Sequence, residues 1–176
     1  VEDGARIALK QCRNLRAGIL LCAMCVGQAG DNREANLETV RLADSCRSDL
    51  VRGFDLAGAE GLCPLSDFSE LFAIARDAGV PFTCHAGDSQ GPQTVRTAML
   101  EFGAARIGHG HHIFEDRELC RIAADRGVTL EICLTSNVQC ETRSSYEAHP
   151  AKALLDMGVR VTLNTDNPVI AGVTLD

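Results

Sequence analysis

Residues 114–134 read FEDRELCRIAADRGVTLEICL, and this stretch indicates the fold of the chain. Its first part, 114–126, is typical of an amphipathic helix, and Gly127 is typical of a helix stop. An apolar run over 128–134 follows, of the kind found in strands that are buried on both faces. A helix, a glycine and a buried strand in this order predict one repeating unit of a parallel α/β sheet.

The same arrangement recurs on both sides of this stretch. Gly79-Val80 and Gly158-Val159 repeat the step from helix to strand that occurs at Gly127-Val128. Strands are predicted over 17–26, 51–56, 81–85, 106–108, 128–134 and 159–164. Helices are predicted to end near Leu15 and to span 33–48, 66–78 with Ser66 as its cap, 92–103 with Pro92 in its first turn, 114–126 and 150–157.

Residues with chemical or conformational roles stand at the carboxyl ends of several predicted strands. They are Gly58, His85, His109, Asn137 and Asp166. An open doubly wound sheet gathers its ligand at one switch point, whereas a closed ring brings many strand ends together. We therefore predict that 1–176 forms one partial domain, six consecutive units (strands 3–8) of an eight-stranded (β/α) TIM barrel. Without the other strands it would expose two sheet edges, so we expect this segment alone to be prone to aggregation or to need the remaining portion of the barrel.

The composition excludes several classes of partner. Apolar residues make up 45% of the chain, the net charge is −7, and no cluster of Lys and Arg suggests nucleic-acid or membrane binding. The nine cysteines, such as Cys22, Cys84 and Cys133, stand mostly in apolar runs, which predicts buried, reduced thiols in a cytoplasmic protein. Cys22 and Cys25 form a CxxC, but on a strand they would point to opposite faces, which disfavours a metal or redox pair.

Two strand ends carry residues suited to metal-assisted hydrolysis. His85 ends a strand and Asp88 follows after a flexible Gly, so a metal ligand and a proton carrier could face one pocket. Asp166 ends the last strand and can ligate a cation or orient a water molecule. The alternatives are a loop His, a solvated Asp and an ordinary Asn/Asp/Pro turn. Gly58 could offer a backbone N–H to a ligand, or simply form a turn.

The sequence Gly108-His109-Gly110-His111-His112 leaves two assignments open. Glycines allow close backbone approach at His109. His109 and His111 would share a face on a continuous strand, as paired metal ligands do. Because Gly110 is expected to end the strand, His111 and His112 are expected to be exposed loop residues instead.

Together these motifs resemble the adenosine deaminase family. The matching stretches, in the family's order and spacing, are GFDLAGAE (53–60), TCHAGD (83–88), RIGHG (106–110), LEICLTSNVQ (130–139), HP (149–150) and LNTDNP (163–168). The resemblance implies an eight-stranded barrel with one Zn2+ ion and a purine nucleoside as the small-molecule substrate. It implies deamination of adenosine, and of 2′-deoxyadenosine, to inosine and ammonia by a zinc-activated water.

The resemblance also implies roles for individual residues. His85 would ligate zinc, Asp166 would ligate zinc and orient the attacking water, and His109 would stabilise the hydroxide as it attacks purine C6. Asp88 would protonate purine N1, and Gly58 would donate its backbone N–H to N3. Asn167 would face N7.

Three departures from the family pattern stand out. The family's His-x-His pair, which supplies two further zinc ligands, has no counterpart in residues 1–176. Asp88 replaces the usual Glu and is one methylene shorter, and a misplacement of about 1 Å can cost about 100-fold in rate. Asn167 stands where many members have Asp, and its amide can donate to N7. The alternatives are a deaminase of adenine, aminodeoxyfutalosine or AMP, and a purine-binding protein without activity.

Overall fold

The computed structural model describes residues 2–27 and 31–174. A six-stranded parallel sheet forms its centre, and each strand pairs with its neighbour in the chain. The strands are β1 Ile19–Cys25, β2 Val51–Gly58, β3 Phe82–Ala86, β4 Arg106–His109, β5 Thr129–Ile132 and β6 Arg160–Leu163. The helices are α1 Glu2–Gln11, α2 Arg33–Ser45, α3 Ser69–Ala78, α4 Pro92–Arg96, α5 Arg117–Arg126, α6 Leu134–Gln139, α7 Ala151–Asp156 and α8 Pro168–Ala171.

The strand order distinguishes a barrel from an open doubly wound sheet. Each connection leads to the next strand in the same direction, from β1 to β6. A doubly wound sheet reverses its order at a switch point, whereas a (β/α) barrel does not. Right-handed crossovers then place the connecting helices on one face of the sheet.

The helix-facing side of the sheet carries the apolar core. Phe72 on α3 packs against Phe54, Phe82 and Phe102, with ring centroids 5.5, 5.1 and 4.3 Å apart respectively. Phe54 and Phe72 have no exposed surface. Such aromatic pairs contribute about 0.5–1.5 kcal/mol beyond the burial of their area. This cluster attaches α3 firmly to β2 and β3, the strands that lead into the candidate site.

The opposite face of the sheet carries polar side chains along β2 to β5. Along β2 and β3 the side chains alternate, so that Asp55, Thr83 and His85 point away from the helices and contact one another. On the next strands, Arg106 Nε donates to Glu131 Oε1 at 2.6 Å. This polar face leads to the carboxyl ends of the strands, where the predicted site residues lie.

Several predicted helix and strand boundaries were wrong. The strand predicted over 128–134 ends at Ile132, because the backbone turns at Cys133 and starts α6, which was not predicted. Ser66 does not cap α3; it lies in a 3₁₀ turn, Leu65–Phe68, and α3 begins afterwards. The helix predicted over 92–103 begins as α4 and continues as a π-helix over Thr97–Phe102.

The cysteines only partly follow the expected burial. Cys22 is exposed and Cys25 is buried, which confirms that the CxxC residues point to opposite faces of β1. The expectation that Cys22 is buried was wrong, because it lies on the face of β1 that the helices do not cover. All nine cysteines are free, and the four buried ones are Cys25, Cys84, Cys120 and Cys133. Within 2–27 and 31–174, no helix is long and apolar enough to cross a bilayer.

Candidate active site

His85 is held at the end of β3 by a buried carboxylate. Its Nδ1 lies 3.0 Å from Asp55 Oδ2, and Thr83 Oγ1 donates to Asp55 Oδ1 at 2.6 Å. Burial alone lowers the pKa of His85, but the hydrogen bond and charge of Asp55 outweigh burial and raise it. With Nδ1 directed at Asp55, Nε2 is the nitrogen that His85 can offer to a ligand. Asp55 was not identified from the sequence, although a carboxylate inside the otherwise mostly apolar predicted strand 51–56 was a signal that could have found it.

His109 adopts a backbone conformation that turns its ring toward His85. Its φ is +59°, in the left-handed region, and the two rings lie 5.1 Å apart between centroids. Asn137 Nδ2 lies 3.0 Å from His109 Nδ1, and Asn137 Oδ1 is 3.2 Å from His149 Nε2. The amide donor makes Nδ1 an acceptor, so the His109 proton belongs on Nε2. Burial lowers the pKa of His109, which favours this neutral form.

Asp166 completes the group at the end of β6. Its φ is +58°, and Ser136 Oγ donates to its Oδ2 at 2.7 Å. A cavity of about 340 Å³ is lined by Asp166, His85 and His109 together with Gly108, Glu131 and residues of the segments that follow β5 and β6. The structure therefore brings together the predicted metal and catalytic residues His85, His109 and Asp166.

The side chains around this cavity offer donors that suit a borderline cation. Donor atoms of His109, Cys133 and Asp166 lie within 4.8 Å of one another, and His85 shares the cavity. Imidazole nitrogen and carboxylate oxygen are ordinary zinc ligands. Burial raises the pKa of the Cys133 thiol to about 12, so Cys133 without a bound metal is a neutral thiol at neutral pH. The hydrogen bond from His85 to Asp55 is the support that metal-binding histidines usually have.

Asp88 does not line this cavity; its Oδ1 lies 3.6 Å from His109 Nδ1, and several donors surround that oxygen. Asn137 Nδ2 donates to Asp88 Oδ1 at 2.7 Å, and His111 Nε2 and Thr142 Oγ1 lie 3.3 and 3.2 Å from the same oxygen. Burial by itself raises the pKa of Asp88. The hydrogen bond from His111 and the attraction of His109 and His111 outweigh burial, and lower this pKa to about 2. Asp88 is therefore an anion at neutral pH.

The expectation that His111 and His112 are exposed was wrong. Gly110, with φ +71°, ends β4, and the 3₁₀ turn His111–Glu115 folds back against the loop after β3, where the His112 N–H donates to Gly87 O. His111 has no exposed surface, and His112 is half-buried and contacts Glu115. Both ring nitrogens of His111 have protein partners. The alternative of a His109–His111 pair of metal ligands is therefore not supported by the geometry.

Gly58 lines a second cavity, of about 300 Å³, which shares His85 with the first. Its φ is +107°, and a Cβ there would lie 2.4 Å from Cys25 O, so the position requires glycine. Apolar side chains such as Leu62 and Phe68 also line this cavity. Gly58 thus lies where a planar apolar ring could rest beside His85.

Asn167 lies at the start of the short helix α8. Its Oδ1 accepts the Ile170 N–H at 3.2 Å and caps α8, and its side chain is exposed. Neither of the two cavities that share His85 has Asn167 in its lining. The capping bond uses the carbonyl oxygen of the side chain and does not involve its amide group.

Glu60 is a further residue near the site that was not predicted from the sequence. Its carboxylate accepts the backbone N–H groups of residues 87, 88, 89 and 90 at 2.6–3.0 Å, and Thr94 Oγ1 donates to it at 2.7 Å. These bonds join the segment after β2 to the loop that carries Asp88. Burial raises the pKa of Glu60, but the bonds from Thr94 and the backbone outweigh burial and lower it.

Comparisons with known proteins agree with this geometry. The profile of the adenosine deaminase family matches residues 1–176. The adenosine deaminase of Haemophilus ducreyi is 40% identical over 171 residues, which are 96% of this chain and 48% of that protein. The adenine deaminase of Sinorhizobium medicae is 45% identical over 135 residues, 77% of this chain and 42% of that protein. The chain thus spans about half the length of these relatives.

A solved structure supports the same conclusion for the fold. The crystal structure of an amidohydrolase from Burkholderia ambifaria with bound Zn aligns with a TM-score of 0.83 and 25% identity, over 97% of this chain and 47% of that one. The predicted α/β barrel architecture is confirmed by this likeness and by the parallel strand order. The profile match over residues 1–176 and the close relatives show that the chain belongs to the adenosine deaminase family.

Proposed function

We propose that the complete protein hydrolyses adenosine, and 2′-deoxyadenosine, to the corresponding inosine and ammonia. The observation that carries this proposal is the cavity in which His85, His109 and Asp166 meet at the ends of three parallel strands. Family membership supports removal of the amino group from a 6-aminopurine. Adenosine as the substrate is the more specific part of the proposal.

The donors around the cavity suit one zinc ion. His85 through Nε2 and Asp166 through its carboxylate would hold it, together with ligands from outside residues 1–176. When bound, zinc supplies the Lewis acidity that allows a water molecule to act as a nucleophile near neutral pH. Asp55 keeps His85 oriented for this role, through the 3.0 Å contact with Nδ1.

The remaining steps belong to side chains of this chain. Asp166, held by Ser136, accepts a proton or hydrogen bond from the attacking water and directs it toward purine C6. His109 presents Nε2–H to the cavity, where it stabilises negative charge on the attacking oxygen. Gly58 would donate its backbone N–H to purine N3, and the Asn167 amide would donate to N7.

Asp88 is proposed to carry the proton to purine N1. With a pKa of about 2 it is an anion, so it must first take up a proton, for example from the attacking water. General acids work best when their pKa lies near the working pH. We therefore expect slower turnover than a less stabilised carboxylate at the same place would give.

A second candidate keeps the reaction and changes the substrate. The Sinorhizobium relative named adenine deaminase supports adenine, and aminodeoxyfutalosine or AMP would need the same ring chemistry. A purine-binding protein without activity is a third reading. The strong stabilisation of the Asp88 anion is the observation that favours it.

The test is a deamination assay on the complete native polypeptide loaded with zinc. Adenosine, 2′-deoxyadenosine, adenine, aminodeoxyfutalosine and AMP are compared, and the change in ultraviolet absorbance is followed. We expect turnover of adenosine, and its loss in Asp166→Asn but not in Asp125→Asn, a change on the exposed face of α5. Preference for adenine would favour the second candidate. Binding of purines without turnover of any of them would overturn the proposal.

A further inference from the structure

His111 is a buried polar side chain that the proposed reaction leaves without a role. It is fully enclosed, yet it carries two polar nitrogens, and burying polar groups costs free energy unless each finds a partner. Both do: Arg143 Nε donates to Nδ1 at 2.8 Å, and Nε2 lies 3.3 Å from Asp88 Oδ1. The ring therefore stands between a cation and the carboxylate of Asp88.

These contacts determine which nitrogen of His111 carries the proton. The guanidinium of Arg143 can only donate, so Nδ1 must act as an acceptor. The proton of the neutral ring then belongs on Nε2, from which it is donated to Asp88. Arg143 thus sets the tautomer, and the tautomer sets the direction of the bond to Asp88.

The hydrogen bonds to the Asp88 carboxylate all involve one of its two oxygens. His111 and Asn137 both bond to Oδ1, and Thr142 Oγ1 lies 3.2 Å from it. Among the described residues, no hydrogen bond to Oδ2 is found. Arg143 is itself held here at some cost, because its Nη2 is buried without a hydrogen-bond partner in the described part of the chain.

We infer that His111, held as its Nε2–H tautomer by Arg143, is a positioning residue that fixes Asp88 with Oδ2 turned toward the substrate. The inference rests on the proposed function, since it gives Asp88 its role at the purine ring. His111 acts through Asp88 and does not touch the substrate. Its effect is geometric, and a misplacement of about 1 Å at a reacting group can cost about 100-fold in rate.

The first test reads the tautomer directly and needs no turnover. The complete protein is labelled with ¹⁵N-histidine, and long-range ¹H–¹⁵N spectra distinguish the two tautomers. His111→Gln identifies the His111 signals by their absence. We expect the Nε2–H pattern in the wild type and a shift toward Nδ1–H in Arg143→Met. An Nδ1–H or doubly protonated ring in the wild type, or no change in Arg143→Met, would overturn the inference.

The second test measures the consequence for the reaction. His111→Phe should lower kcat by about 10- to 100-fold and change KM by less than about threefold. His111→Gln, whose side-chain amide can donate from nearly the same place as Nε2, should keep kcat within about fivefold of the wild type. His112→Gln is a control for the packing around His111, because the His112 ring lies 4.6 Å from the His111 ring between centroids but contacts Glu115 and not Asp88. Equal loss in the Phe and Gln variants, or none in either, would count against a positioning role.

The two proposals can fail separately. If the wild-type protein deaminates no purine, the proposed function fails, while the spectra still decide whether Arg143 sets the tautomer of His111. If the wild type is active but the tautomer or the rescue by Gln is absent, the positioning role fails alone.

Discussion

At the scale of a single residue, Gly108 shows how a missing side chain makes room for the site. A Cβ at this position would lie 2.7 Å from His85 Nδ1, the atom that contacts Asp55. Gly108→Ala should therefore push the His85 ring away from Asp55. Loss of the hydrogen-bond partner of a metal-binding histidine typically lowers metal affinity by about 10- to 100-fold. We therefore expect zinc to bind more weakly by this factor, as measured by competition with a chelator.

Gly91→Ala is the matched control for this change. Gly91 has an ordinary φ of −74°, and a Cβ there would meet nothing within 4 Å. Its zinc affinity should equal that of the wild type. If Gly108→Ala also binds zinc normally, the contact between His85 and Asp55 is not needed to hold the metal.

The lowered pKa of Asp88 predicts how the stability of the protein depends on pH. Its folded-state pKa of about 2 lies below the ordinary value of 3.8, so its stabilisation is complete above pH 4 and is lost as the pH falls toward 2. The shift corresponds to about 2 kcal/mol. The difference in unfolding free energy between the wild type and Asp88→Asn should shrink by this amount between pH 6 and pH 2, measured by urea unfolding. A pH-independent difference for Asp88→Asn would contradict the assignment.

At the scale of an element, Glu60 determines the shape of the loop after β3. Four backbone N–H groups of 87–90 donate to its carboxylate. Glu60→Gln replaces one accepting oxygen by a donor and removes the charge, which should destabilise the protein by about 2 kcal/mol. Amide hydrogen exchange at 87–90 should become faster than in Glu38→Gln, a change on the exposed side of α2. Unchanged exchange would mean that this loop is held by other contacts.

At the scale of the whole molecule, the sheet has two edges with exposed apolar side chains. On β1, Leu20 is 42% and Met24 39% exposed, and on β6 Leu163 is 60% exposed. Unpaired strand edges with apolar side chains favour association between chains. A polypeptide limited to residues 1–176 should therefore self-associate in sedimentation experiments, whereas the complete protein should not. A monomeric segment with cooperative unfolding would contradict this prediction.

The sequence by itself determined the architecture and most of the candidate site. Apolar runs separated by helical segments, with three repeated Gly-Val steps, predicted six parallel strands, because helix stops and buried strands are local signals. Polar residues after those strands predicted that His85, His109 and Asp166 lie close together. Parallel strands place their carboxyl ends at the same end of the sheet, and the three residues line one cavity there.

Only the tertiary structure decided which partners these residues have. His111 follows a glycine in a polar segment and was expected to be exposed, yet a turn at Gly110 buries it between Arg143 and Asp88. The contact between His85 and Asp55 likewise joins residues 30 positions apart. Burial and hydrogen bonding depend on which segments pack together in space, and local sequence patterns carry no information about that packing.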